Sequence, residues 1–377
     1  MEKKVSLYIH IPFCLSNCVY CDFFSLTDCA GLVEDYISAL CNEIKFRLDE
    51  YGKCLVKTVY VGGGTPSLLK PHQIETVGRV VKEFARPKNF EFTFEVNPDD
   101  VSKQLLQALK DTGVNRISCG VQSFSEEVLK SIHRRAKIQQ INNAFSLFRE
   151  NWPQKLSVDL ICGLPGETEQ TMLLGLKTLA DYAVPHISFY SLCIEEETPL
   201  GNAIINKTIK YNSDYSDSLW LKGRDFLLKN GYEQYEISNF CLPGYECIHN
   251  MTYWSHKDYI GAGAGATGTI YKKDATGLRW TNTKNIRKYI DFWSKKTGEN
   301  TKTAVPQEVE IIDRKTSEFE YFMMGLRTKK GISPAEYKKI FNEQIPAPVM
   351  ELLKRWNDSD RMLFLNVLLE KISEFYQ

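Results

Sequence analysis

Two hydrophobic rhythms alternate along the chain. Apolar, β-branched and aromatic runs of strand length occur at 5–10, 56–61, 90–96, 115–121, 156–161 and 187–192, and such runs between turn-forming residues predict β-strands. Between them, apolar residues recur at spacings of three and four over 32–48, 71–84, 102–110, 138–148 and 169–182, the helical period. Strand and helix in strict alternation predict a parallel sheet, closed or partly closed into a barrel. Six units are too few for a complete eight-stranded ring. The expected fold class is therefore α/β, a partial (β/α)6 barrel of the TIM type, over residues 1–225.

Further along, the pattern changes. From about Glu308 helical periods run through 319–327, 350–356 and 362–372, predicting a small, mainly helical C-terminal domain over 301–377, with its methionines as core filling. The polar stretch 295–307 is the linker candidate, and 226–300 is left as an extension of the barrel. A chain of 377 residues is long enough for this division.

Charge and composition narrow the class. Lys plus Arg and Asp plus Glu both number 47, so no net field draws in nucleic acid or an anionic membrane. Met-Glu-Lys-Lys-Val-Ser-Leu runs straight into the first strand without an apolar signal region, and no apolar run reaches the length of a membrane span. The expectation is a soluble, cytoplasmic protein. Its 11 cysteines, odd in number and scattered, suit reduced thiols, with Cys29, Cys41, Cys54, Cys119, Cys162, Cys193 and Cys241 as small core residues.

The unusual residues collect at the strand ends. After the first strand comes a cysteine loop; after the second, Gly62-Gly-Gly-Thr65-Pro66; after the third, Glu95-Val-Asn97-Pro98. The fourth runs into Gly120-Val-Gln122-Ser123-Phe124, the fifth carries Asp159 and Gly163-Leu-Pro-Gly166, and the sixth reaches Ser191 and Glu195. The strand beginnings read as lacking such residues, and in barrels of this kind chemistry sits at the carboxyl ends. A lone carboxylate there is more often a cap or loop anchor, but one polar group per strand is hard to assign to capping.

The cysteine loop, Cys14-Leu-Ser-Asn-Cys18-Val-Tyr20-Cys21, places three thiols with three and two residues between them, close enough to converge on one soft metal centre. A cubane iron-sulfur cluster has a fourth iron, and no thiol follows Cys21 in register to take it. The alternatives are three ordinary buried cysteines, or a zinc site with His10 as fourth donor.

This C-x-x-x-C-x-x-C pattern after a short apolar strand resembles the radical S-adenosylmethionine superfamily. There the open iron is chelated by the cofactor's amino and carboxylate groups, and an electron from the [4Fe–4S] cluster can cleave it to a 5'-deoxyadenosyl radical. Tyr8-Ile-His-Ile-Pro-Phe-Cys14, Gly62-Gly-Gly-Thr-Pro-Ser67, Glu95-Val-Asn-Pro98, Gly113-Val-Asn-Arg-Ile-Ser118, Gly120-Val-Gln-Ser-Phe124 and Asp159-Leu-Ile-Cys-Gly-Leu-Pro-Gly166 narrow the resemblance to the oxygen-independent coproporphyrinogen III oxidase family. Within it the chain is most similar to the haem chaperone branch, HemW. Two features carry that choice. Phe23 stands where the oxidases have a further cysteine, giving Cys21-Asp22-Phe23, and His249-Asn-Met-Thr-Tyr-Trp254 matches an H-N-x-x-Y-W signature.

By this resemblance Cys14, Cys18 and Cys21 bind the cluster, and Tyr8, Tyr20, Gly63, Gly64, Thr65, Glu95, Gln122, Arg134 and Asp159 match positions that contact S-adenosylmethionine. The glycines would let backbone amides approach it, while Glu95 accepts from ribose hydroxyls and Gln122 and Arg134 donate. His249 would bind haem, with Cys247 a second contact; otherwise His249 is a buried residue of an aromatic cluster. Two positions depart from the branch, Ala136 and Thr267, where histidines are usual. The run 261–268, Gly-Ala-Gly-Ala-Gly-Ala-Thr-Gly, contains a G-x-G-x-x-G match but lacks the following helix of a dinucleotide site, so its backbone is expected to approach cofactor or haem. The implied function is a haem chaperone that holds the cluster, S-adenosylmethionine and haem, hands haem to an acceptor protein, and lacks coproporphyrinogen oxidase activity. The alternative is the oxidase itself. The implied partners are the acceptor, compatible with membrane association although the chain carries no membrane segment, and an electron donor if the cofactor is cleaved; nucleic acid is not among them.

Overall fold

Six parallel strands, β1 (Lys4–Ile11), β2 (Leu55–Gly63), β3 (Glu91–Val96), β4 (Arg116–Gln122), β5 (Lys155–Cys162) and β6 (His186–Ser191), lie side by side in chain order in the computed structural model. It describes residues 3–295, 304–355, 362 and 365–376. Within the expected linker, 296–303 fall outside the described residues, as do Trp356, 363 and 364 of the expected C-terminal helices.

The sheet continues beyond these six strands. β7 (Glu233–Gln234) and β8 (Asn239–Cys241) add to the β6 side, with β8 antiparallel to β6. On the other side β9 (Tyr259–Ala262) runs parallel to β1, followed by the antiparallel β10 (Thr267–Tyr271), β11 (Gly277–Asn282) and β12 (Gln307–Ile312). The result is one open sheet of 12 strands whose edges are β12 and β7, unpaired with each other among the described residues.

The two faces of the sheet differ chemically. Leu7, Ile9, Val59, Val61, Phe92, Phe94, Ile117, Leu160 and Phe189 are buried in one large apolar cluster with the inner faces of the crossover helices. Helix Val33–Tyr51 contributes Ile37, Leu40, Ile44 and Leu48 to it, at the helical spacing of a single stripe. It packs on helix Ile286–Ser294 through Tyr36 against Tyr289 and Phe46 against Trp293, ring centroids 5.3 and 5.4 Å apart. Two crossover helices start on side-chain caps: Ser102 accepts from the Leu105 amide and Thr168 from that of Thr171.

The opposite face is polar and also buried. Alternate positions carry Ser6 and Tyr8, Thr58 and Tyr60, Glu91 and Glu95, Arg116 and Ser118, Ser157 and Asp159, His186 and Ser188. The strand beginnings are therefore not bland, contrary to the sequence expectation. Polar groups can lie there because they satisfy one another and a short helix, Ile248–Trp254, that packs across β2 at the amino-terminal end of the half-barrel. Thr58 Oγ1 donates to Ser6 Oγ at 2.8 Å, Ser6 Oγ lies 2.8 Å from Thr252 Oγ1, and the His249 amide donates to Glu91 at 3.0 Å. His186 lies 2.7 Å from Ser157 Oγ and 2.8 Å from the Tyr235 hydroxyl.

The glycine run 261–268 has a structural use, not the ligand contact expected of it. Gly263, at φ 109°, donates its amide to Glu43 at 2.8 Å, and a Cβ there would meet the His10 carbonyl oxygen at 2.5 Å. Glu43 is fully buried and also accepts from Tyr289 Oη (2.6 Å), Asn282 Nδ2 (2.7 Å) and Arg47 Nε (3.2 Å). The run thus locks β9 and β11 to helix Val33–Tyr51, and none of its residues lines the large cavity of the half-barrel.

Helices Arg314–Gly325, Pro334–Phe341, Ala347–Arg355 and Leu365–Ser373 build a second apolar cluster around Phe322, Tyr337, Phe341, Val349 and Leu368. Met323 and Met350 fill its margins. His256 joins it to the sheet, stacked on Tyr271 at 3.8 Å with the Phe341 ring centroid 6.2 Å away. All 11 cysteines are free; Cys193, expected in the core, is exposed because it sits in the loop after β6. Among the described residues no helix is long and apolar enough to cross a membrane.

Candidate functional site

A cavity of about 380 Å³ opens at the carboxyl ends of β2 to β6, lined by the polar face of the sheet and by the cysteine loop. That volume lies in the range of small-molecule sites. The loop that forms one wall is held by main-chain bonds on both flanks. Leu26 donates to the Pro12 carbonyl at 2.6 Å and Cys14 to Leu26 at 2.9 Å, while Val19 donates to Ile132 and accepts from Leu200.

The three thiols of the loop have distinct surroundings, and only Cys21 lines the cavity itself. Burial pushes the Cys21 thiol up to about 11. Cys14 Sγ lies 3.4 Å from Thr65 Oγ1. Cys18 Sγ accepts from Arg134 Nη1 at 3.6 Å. Gly64 makes room for this arrangement: a Cβ there would stand 2.8 Å from the Phe13 carbonyl oxygen and 3.0 Å from Cys14 Sγ. Among the described residues no three His, Cys, Asp or Glu side chains converge tightly enough to chelate a single metal ion. His10 is no fourth zinc donor, since its Nδ1 lies 2.9 Å from the Tyr8 hydroxyl and its Nε2 donates to the Phe24 carbonyl at 2.9 Å. Three soft thiols on one loop at the cavity's edge, one of them bonded by the Arg134 guanidinium, are a donor set that fits an iron-sulfur cluster.

Two buried carboxylates form the floor. Glu95 accepts from the Tyr60 hydroxyl at 2.8 Å and from the Gly63 amide at 3.2 Å. Burial dominates and raises it to about 7, with the hydrogen bond from Tyr60 opposing and the neighbouring Asp159 adding. Asp159 accepts from Ser118 Oγ at 3.1 and 3.2 Å and is likewise raised by burial. A recess with two buried carboxylates whose ionisation is held back by burial fits a cationic guest, which would supply their counter-charge. The sulfonium and ammonium groups of S-adenosylmethionine are of that kind.

Gln122 reaches the cavity from a left-handed backbone, φ 70°, where the register of β4 against β5 shifts. Strained non-glycine backbone at a cavity wall is a common mark of a working site. Arg134 spends three donors on the protein itself: Cys18, Asn97 Oδ1 at 2.7 Å and the Gly120 carbonyl at 2.5 Å. The amides of Gly63 and Gly64 are also engaged, with Glu95 and with the Ile11 carbonyl at 2.8 Å. They are thus not free to meet a ligand as expected from the sequence.

The cavity gathers Tyr20, Cys21, Gly63, Gly64, Thr65, Glu95, Gln122, Arg134 and Asp159, but not Tyr8 or His249. Tyr8 lies against Tyr60, centroids 6.3 Å apart, with its hydroxyl on His10. His249 is fully buried on the helix that closes the half-barrel, its Nδ1 2.8 Å from Thr58 Oγ1 and its Nε2 2.7 Å from the Tyr253 hydroxyl. Burial, reinforced by Arg116, drives it down to about 3. With both nitrogens engaged it presents no lone pair to the cavity, so as folded it does not fit an axial haem ligand. Cys247 is equally buried, 3.7 Å from Glu91. Ala136 is buried, and Thr267 Oγ1 lies 2.9 Å from Thr281 Oγ1; neither lines the cavity.

Sequence reasoning did not single out Tyr60, Ser118 or Tyr190, which share the cavity. A period of two was the available signal, since each lies two residues from a glycine, carboxylate or serine of the same face. Phe23 and Cys193 complete the rim, and Phe23 is 69% exposed.

Comparison with known proteins is consistent with this geometry. Residues 8–177 match the family model described as the radical SAM superfamily. The chain is 32% identical to the heme chaperone HemW of Lactococcus lactis, with 96% of this chain and 93% of that protein aligned. It is 33% identical to the heme chaperone HemW of Escherichia coli, with 97% of each covered. Among solved structures, coproporphyrinogen III oxidase (HemN) from Escherichia coli, titled a radical SAM enzyme, superposes with a TM-score of 0.77 at 22% identity, over 94% of this chain and 82% of that one. At that identity the superposition speaks for the fold.

Proposed function

The chain belongs to the HemW family of radical SAM proteins, and from that membership we propose that it binds a [4Fe–4S] cluster and S-adenosylmethionine, takes up haem as cargo and passes it to an acceptor protein. The single observation that carries the reading is likeness to heme chaperones along nearly the entire chain, supported by a three-cysteine loop that puts Cys21 on the wall of a cavity with a carboxylate floor.

Cys14, Cys18 and Cys21 would hold the cluster, which supplies an open iron and an electron. The protein's own groups do the rest. Gly64 and Thr65 leave room for Cys14 and touch it. Arg134 ties the loop to β4 by donating to both Cys18 and the Gly120 carbonyl. Glu95 and Asp159 would face the cofactor's positive charge, and Tyr60 and Ser118 hold those carboxylates in place.

Phe23, exposed after Cys21-Asp22, occupies the place where the sequence resemblance puts a further cysteine in the oxidases. This favours cargo handling over turnover. The test is to give the anaerobically reconstituted protein coproporphyrinogen III, S-adenosylmethionine and a reductant, and separately to load it with haem and mix it with apo-acceptor haemoproteins. Haem transfer without protoporphyrinogen formation is expected; turnover of the porphyrinogen would sink the chaperone reading.

A further inference from the structure

We infer that His249 is a positioning residue for the carboxylate floor of the cavity and not a ligand to the haem cargo. The inference rests on the reading of that cavity as the S-adenosylmethionine site.

The hydrogen bonds around His249 run in one direction. Thr252 Oγ1 donates to the Ile248 carbonyl, so it accepts from Ser6; Ser6 in turn accepts from Thr58. Thr58 Oγ1, its own proton committed, accepts from His249 Nδ1–H at 2.8 Å. The neutral ring then has its lone pair on Nε2, where the Tyr253 hydroxyl donates at 2.7 Å. The one nitrogen able to bind a metal is thus capped by a phenol from the next turn of the same helix, in a pocket with no solvent exposure.

The other side of the ring faces the cavity floor. His249 packs on Tyr60 with centroids 5.1 Å apart and planes inclined by 34°. Thr58 and Tyr60 are successive residues of the same face of β2. One is hydrogen-bonded by the imidazole and the other is pressed by it. Tyr60 then donates to Glu95 Oε1 at 2.8 Å. His249 therefore stands one residue behind the phenol that orients the floor carboxylate. Losing the imidazole's hydrogen bond to Thr58 would loosen β2 beside Tyr60 and let that phenol swing away from Glu95.

Other charged or titratable groups facing Glu95 come from every neighbouring strand and from the closing helix: Tyr8, Tyr60, Arg116, Asp159, Tyr190 and Tyr253. The hydroxyl of Tyr60 favours the ionised carboxylate, so losing its orientation shifts binding of a cation toward higher pH.

The experiment uses the full chain with its cluster reconstituted without oxygen, and equilibrium dialysis against labelled S-adenosylmethionine from pH 6 to 9. His249→Phe keeps the ring volume and drops both hydrogen bonds; Tyr60→Phe removes the phenol that touches Glu95; His249→Gln restores a donor toward Thr58 and guards against a folding defect. Expected results are about tenfold weaker binding for His249→Phe, the scale of one lost hydrogen bond to a charged group, and a pH midpoint moved upward in both His249→Phe and Tyr60→Phe. His249→Gln should recover most of the affinity, iron content should not change, and haem-loaded His249→Phe should keep the wild-type absorption and EPR spectra. Wild-type affinity and pH profile in His249→Phe, with altered axial-ligand spectra, would overturn the positioning role alone. Failure of the wild type to bind S-adenosylmethionine at any pH would overturn the cavity reading and this inference together.

Discussion

Glu95→Gln removes the charge on the cavity floor while keeping nearly the same shape, and its effects can be worked out from the burial of the carboxyl. Glu95 is raised from 4.5 to about 7. At 1.36 kcal/mol per unit this disfavours the ionised form by about 3 kcal/mol. The folded protein thus binds the proton more tightly than the unfolded chain. Unfolded molecules lose it from about pH 4.5 and folded ones only near 7, so wild-type stability falls by up to about 3 kcal/mol as pH rises through that window. Glu95→Gln should flatten that segment of the stability profile, measured by urea denaturation at pH 5, 6, 7 and 8. Binding runs the other way. A cationic cofactor needs the ionised carboxylate, so wild-type affinity for S-adenosylmethionine should weaken below pH 7 by up to about tenfold per unit, while the glutamine variant binds weakly with little slope. If Glu95→Gln binds with wild-type affinity and the same pH dependence, the floor carboxylate is not the cofactor's counter-charge.

Cys18→Ala is expected to abolish the brown absorbance of the reconstituted protein; retention of a full cluster would remove Cys18 from the ligand set. Gly64→Ala places a methyl 3.0 Å from Cys14 Sγ and 2.8 Å from the Phe13 carbonyl, and should lower iron per chain at unchanged far-UV circular dichroism. Glu43→Ala strips the acceptor from Gly263, Tyr289, Asn282 and Arg47 and leaves the buried Arg47 guanidinium without its carboxylate, with Asn282 and Gln307 as its remaining acceptors. A stability loss of about 3–5 kcal/mol by urea denaturation follows, and a loss below about 1 kcal/mol would show that the network contributes little net stability.

The six parallel strands were legible because strands buried on both sides keep enough β-branched and aromatic residues to stand out. Val5 to His10 became Lys4–Ile11, and 156–161 became Lys155–Cys162. What stayed hidden is instructive. Glu91, Arg116 and His186 open their strands on the inner face, where a linear reading takes them for solvent-facing ends. They are buried because partners arrive from residues 235–252, far along the chain. The two- and three-residue strands β7 and β8 are too short for any period to register. The cysteine loop and the floor carboxylates were readable as motifs. The glycine amides misled, since a glycine in sequence does not reveal whether a ligand or a neighbouring chain segment demands the space, and at Gly263 it is the chain.

The helix carrying His249 lies across the amino-terminal end of the half-barrel, and the cavity opens at the carboxyl end. If the proposed cofactor and cargo both use that opening, whatever rests on the floor must be loaded first, and the order of exchange would be imposed by architecture and not by relative affinity.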